Sequence, residues 1–135
     1  MDQEKCLKLK AELADQPEPQ IIPIERFFDG NDDPASLGAN LFPHPGINAF
    51  RDAFLDLKKR PDVEAIYAQI SELDPGADSW PFTDTIFVAG AISPLELREI
   101  LEPLEIDDVF SAVGYNVPAS IAEKHGGRVW AAWWD

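Results

Sequence analysis

The residues of this chain that come nearest to chemistry lie in the segment 27–46, FFDGNDDPASLGANLFPHPG. Asp29, Asn31 and Asp33 occupy the alternating positions that supply the first oxygen ligands of a calcium loop. The pattern then fails twice. Pro34 stands where the loop needs glycine for its sharp turn, and Asn40 stands where a bidentate glutamate should close the shell. The same side chains have a structural use, because Asx residues bond the backbone two residues on and fold turns of this kind. His44 sits between Pro43 and Pro45, and neither it nor His125 has a cysteine or carboxylate at zinc-ligand spacing. No metal or other cofactor is expected, and His44 reads as a turn or helix-entry residue.

Cys6 is the only thiol. Neighbouring lysines would lower its pKa, but no partner motif for redox or nucleophilic chemistry accompanies it. The chain has no Gly-rich phosphate loop, nucleophile elbow or HExxH pattern, so a non-enzymatic protein is expected. The alternative is a small enzyme or ligand-binding domain. Its pocket would lie between the 27–46 loop and the Trp-rich C-terminal strand, lined by Asp29, Asp32, His44, Trp80, Asp84 and Trp134.

Charge points elsewhere. Residues 61–123 hold Arg98 alone against thirteen acids, a net of −12 within the −14 of the whole chain. Such a field repels nucleic acid and anionic membrane surfaces and speeds encounter with a basic protein. Glu96, Glu99, Glu102, Glu105, Asp107 and Asp108 form the densest run and are the candidate contact with that partner; the bland reading is a solvated face. No segment approaches the roughly 18–20 apolar residues of a membrane span. With no secretory-type N-terminus and one cysteine, the cytoplasm is the expected location, as monomer or homodimer.

The elements that must position these residues follow from periodicity and punctuation. A helix is expected over 2–15, capped by Asp2 and stopped by Pro17 and Pro19, forming a peripheral piece over 1–16. An edge strand at 20–24, interrupted by Pro23, leads to a helical turn ending at Phe28. Phe27, Phe28, Leu37, Leu41 and Phe42 read as apolar anchors that pin the 27–46 loop to the core. The spacing of Ile47, Phe50, Phe54 and Leu57 predicts an amphipathic helix over 47–59.

Residues 62–73 carry two patterns. Val63, Ile66, Tyr67, Ile70 and Leu73 fit a helix, and Ile66, Ala68 and Ile70 fit one face of a strand less well. The turn cluster at 74–78, and the thinness of a sheet made without this segment, favour a strand, which is expected here. A second strand follows at 83–92, and Ser93-Pro94-Leu95-Glu96 opens a helix over 94–102 with three agreeing start signals. Residues 105–125 read as irregular, with an acidic turn and a helical turn after Pro118. The last strand, RVWAAWWD, is apolar on both faces, which suits a central strand or a contact surface. The sum is one α+β domain over 1–135, two-layered, with a small, mainly antiparallel sheet against two or three helices.

The motifs FFDGNDD, SLGANL, HPG, DSWPFTDT and the terminal VWAAWWD together resemble a family of small acidic bacterial proteins of uncharacterised function, over about residues 21–135. The resemblance implies a strand at 62–73 and no catalytic residues. In size and acidity the chain is also similar to immunity proteins that neutralise basic toxin domains. The functional expectation is therefore an acidic protein-binding module.

Overall fold

The computed structural model describes residues 1–112 and 117–135; whatever the irregular reading of 105–125 says of 113–116 lies outside the described residues. In chain order the elements are α1 (Gln3–Ala14), β1 (Ile21–Pro23), α2 (Ile24–Phe28), α3 (Ile47–Lys58), β2 (Val63–Glu72), β3 (Phe82–Gly90), α4 (Pro94–Leu101), β4 (Asp108–Ser111), α5 (Ala119–His125) and β5 (Val129–Trp133). The strands form one five-stranded sheet in the order β1-β2-β3-β5-β4, antiparallel at every pairing.

β2 settles as a strand because pairing on both sides outweighs its helical period. Ile22 lies opposite Ala68 on β1, and Ile66 opposite Val88 on β3. Alternation then sends Ile66, Ala68 and Ile70 to the main core and leaves Tyr67 and Gln69 on the other face. β5 lies between β3 and β4, so its two apolar faces are both used. Ala132 and Trp134 join the main core, while Val129 and Ala131 join a smaller cluster on the opposite face.

The main core is a helical layer on one face of the sheet. It takes Leu9 and Leu13 from α1, Phe27 and Phe28 from α2, Phe50 and Phe54 from α3, and Leu97 and Leu101 from α4. Burying a Phe or Leu side chain of this kind contributes about 1.5–3 kcal/mol, which is what fixes these helices to the sheet. α5 covers part of the other face through Ile121, packed in the cluster of Phe87, Ala89, Ala112, Val129 and Ala131. The α+β sheet-and-helix architecture is thus present, with four α-helices on one face and a short fifth on the other among the described residues.

Three features differ from expectation. Residues 108–111, read as irregular, form edge strand β4, whose four residues, DVFS, are too few to show alternation; the turn after Pro118 is a seven-residue helix. Phe42 is no anchor: it stands 96% exposed, whereas Phe27, Phe28 and Leu37 are buried. Cys6 is 1% exposed with its Sγ 3.5 Å from the Ser79 carbonyl, and burial pushes its thiol pKa up, outweighing the lowering by Lys10.

Candidate functional site

α4 is the element that presents the acidic run. Ser93 caps it, its side chain accepting from the Glu96 amide at 3.1 Å, and Pro94 follows at the first helical position. The Glu96 carboxylate turns to Arg60 at 2.7 Å rather than back to the cap. Leu97 and Leu101 face the core, so Glu96 and Glu99 fall on the outer side, and the chain continues through the 3-10 turn Glu102–Leu104. Glu105 then adopts a left-handed conformation, φ 56°, and Asp107 and Asp108 lead into β4. All six carboxylates are exposed.

Their electrostatics are uneven. Arg98, the lone cation between 61 and 123, binds the Asp107 carbonyl at 3.4 Å and the Asp108 carboxylate at 3.3 Å. It is thus engaged in tying α4 to the start of β4. Glu96 pairs with Arg60, and Asp107 accepts from the Asp135 amide at 2.6 Å. Glu99, Glu102, Glu105 and Asp107 have no ion-pair partner among the described residues. By contrast, Asp29, Glu25 and Glu12 in the first part of the chain, and Asp74 just after β2, are matched by Lys5, Lys58, Arg26 and Lys10.

The residues assigned to a pocket under the 27–46 loop have separate surroundings. Asp29 pairs with Lys5 at 2.7 Å, its hydrogen bond raising the Lys5 pKa, and Asp32 binds the N-terminal amine at 2.7 Å. Asp29 and Trp80 do share a hollow of about 140 Å3 with Lys5, Lys8, Leu9 and Arg26. Trp80 is otherwise buried, with its backbone N–H donating to Asp33 Oδ2 at 3.0 Å. His44 Nδ1 accepts from the Gly46 amide at 2.9 Å, which places the proton on Nε2 to donate to the Leu37 carbonyl at 2.9 Å. Both ring nitrogens are used in holding the turn. Trp134 is buried edge-on against Phe50 and Phe54, with its indole N–H donating to the Leu104 carbonyl at 3.0 Å. Asp84 lines a groove on the other face of the sheet, beside Trp133.

The Asx reading of the loop fits Asn31 and Asp33 but not Asp29, whose carboxylate goes to Lys5. Asn31 Oδ1 accepts from the Asp33 amide at 2.9 Å, and Asp33 Oδ1 caps the turn 34–36 by accepting from Ala35 at 3.0 Å. Among the described residues, no three His, Cys, Asp or Glu side chains gather as a metal would require. Among the same residues no helix is long and apolar enough to cross a membrane.

The groove beside Asp84 adds Phe87, Ala131 and Gln69, which the sequence does not mark as a site, to Trp133 of the Trp-rich C-terminal strand. Trp133, Phe87, Ala131 and Gln69 line a space of about 370 Å3, with Asp108 of the acidic run in its wall. Alternation along β5 separates Trp133 from Trp134, but only the pairing of β4 brings Asp108 beside it. A larger hollow, about 630 Å3, runs along Glu18–Gln20, the end of β2 and Pro118, and among the described residues brings no second acid to Glu18.

The uncharacterised protein YfbO family matches residues 4–132, and the chain belongs to that family. The match takes in nearly all of α1, which the motif resemblance from residue 21 leaves out. Comparison with curated proteins and with solved structures finds no match.

Proposed function

We propose that this protein is a non-enzymatic binding module that holds a basic protein against the acidic α4–β4 edge, in the manner of an immunity protein neutralising a basic toxin. The observation that carries the reading is the state of the charges: among the described residues, four exposed carboxylates of this edge stand without an ion-pair partner while Arg98 is occupied in bracing it. A surface of one sign on a helix–strand unit steers a complementary partner and sets its register. The cytoplasm is the proposed location, on the single buried thiol.

The test is paired affinity capture from the native host, with wild type and Glu99→Gln/Glu102→Gln/Glu105→Gln as baits across a salt series. Wild type should recover a basic protein that salt releases, and the triple variant should recover about tenfold less at low salt, in line with the range of electrostatic steering. Recovery of the same partner by both baits at all salt concentrations would refute the proposal.

The reading of the chain as a small enzyme or ligand-binding domain has less geometric support. Trp134 and His44 are taken up by packing and turn bonds, and Asp84 lies on the opposite face of the sheet.

A further inference from the structure

Trp133 stands apart from the other three tryptophans. Trp80 and Trp134 are each 1% exposed, and the Trp130 indole donates to the Ile92 carbonyl at 2.8 Å. Trp133 is partly exposed, and its indole has no hydrogen-bond partner among the described residues. The strand register sets it between Thr85 on β3 and Asp108 on β4. Buried Phe87 and Ala131 line the same groove, and Asp84 and Asp108 bring carboxylates to its walls.

Besides the Trp133 indole N–H and the Gln69 amide nitrogen, the polar atoms left over there are three acceptors. Asp108 gives Oδ1 to Arg98 and Asp84 gives Oδ1 to the Thr85 hydroxyl at 2.9 Å, which leaves Oδ2 of each carboxylate. Gln69, in the same lining, has a buried Oε1 with no hydrogen-bond partner. An indole face with carboxylates and an amide oxygen around it complements a planar cation that carries several N–H donors.

We infer that this groove is the anchor pocket for one arginine side chain of the basic partner, its guanidinium stacked on Trp133 between Asp84 and Asp108. The inference rests on the basic-partner reading and deepens it, because Asp108 belongs to both the acidic edge and the groove. Arginine suits the groove better than lysine: its flat, weakly hydrated fork stacks on an indole and reaches two carboxylates at once, whereas an ammonium is a strongly hydrated point charge. A mobile apolar-only segment of a partner would leave both carboxylates and Gln69 unmatched.

The experiment follows the four tryptophan indole N–H resonances by NMR while the full chain is titrated with the peptide acetyl-Gly-Arg-Gly-amide. The control is the same peptide with citrulline, which keeps the shape and removes the charge. The Trp133 resonance should move with the arginine peptide and at least about tenfold less readily with the citrulline peptide. Asp84→Asn, which leaves the Arg98–Asp108 pair intact, should weaken the response several-fold while the other three indole resonances hold their positions and report an intact fold. Equal response to citrulline, indifference to Asp84→Asn, or a Trp133 resonance that stays still would overturn the inference. A Trp133 resonance that moves with protein concentration alone would place a second copy in the groove and overturn it too. The two readings separate cleanly. If the peptide reaches Trp133 but the Glu99/Glu102/Glu105 variant still captures its partner, only the acidic-edge proposal falls; if that variant loses its partner and the peptide never reaches Trp133, only the groove falls.

Discussion

Gly90 governs how the sheet begins. It holds φ 145°, and a Cβ placed on it would meet the Asp62 carbonyl oxygen at 2.2 Å. That carbonyl accepts from the amides of Ala91 and Ile92 at 2.8 and 3.2 Å, so a side chain at 90 displaces the link between the start of β2 and the end of β3. Gly90→Ala should cost about 3 kcal/mol in urea unfolding, from overpacking and strain together. A loss below about 0.5 kcal/mol would show that the junction can shift freely. Beside it, the hydrogen bonds from Arg60 hold the Asp62 carboxyl below its ordinary value of 3.8. A folded value below the unfolded one adds stability above the ordinary carboxylate range, and that stability is lost as pH falls through the depressed value. Arg60→Met should therefore return the Asp62 titration towards 3.8 when followed by carboxyl carbon NMR, and an unchanged titration would contradict the pairing. Cys6, buried against Ser79, should react with a thiol reagent at least about tenfold more slowly in the native protein than in urea; equal rates would mean that α1 opens readily.

Among the elements, the two neighbouring tryptophans of the C-terminal segment make opposite predictions. Trp134 closes the helical layer against Phe50 and Phe54, at ring distances of 5.5 and 5.9 Å, and Trp134→Ala should destabilise by about 3–5 kcal/mol. Trp133→Ala faces the open groove and should cost much less in the same denaturation assay; equal losses would contradict the separation of faces. That separation was legible in the sequence, because alternation alone divides Val129, Ala131 and Trp133 from Trp130, Ala132 and Trp134. The start of α4 was legible too, since Ser93 accepts from the Glu96 amide three residues on and Pro94 suits the first turn, although the Glu96 carboxylate goes to Arg60 and does not close a capping box. β4 was not, because Val109 and Phe110 are too few to set a period and β5, with which their strand pairs, lies further along the chain. Phe42 misled for a related reason: its type suits an anchor, and only the path of the loop decides whether it turns inwards. The same holds for Asp84 and Asp108, which are 24 positions apart and meet in one groove only because β5 lies between β3 and β4.

At the scale of the whole molecule, charge of −14 draws any polycation, so attraction alone says little about a site. What distinguishes the α4–β4 edge is density: among the described residues, four carboxylates without an ion-pair partner fall within positions 99–107, whereas ion pairs thread α1, α2 and α3 together through Glu12–Arg26 and Glu25–Lys58. The most direct measurement is therefore one of location. Backbone amide NMR shifts should be mapped during titration of the full chain with hexa-arginine at about physiological salt, where exposed charges more than about 8 Å apart are screened from one another. Shifts concentrated on residues 96–108 and on Trp133 are the expected result. Shifts spread equally over Glu4, Asp15, Glu18, Glu72 and Glu123, acids that lie outside that edge, would contradict the claim that this edge is the binding surface.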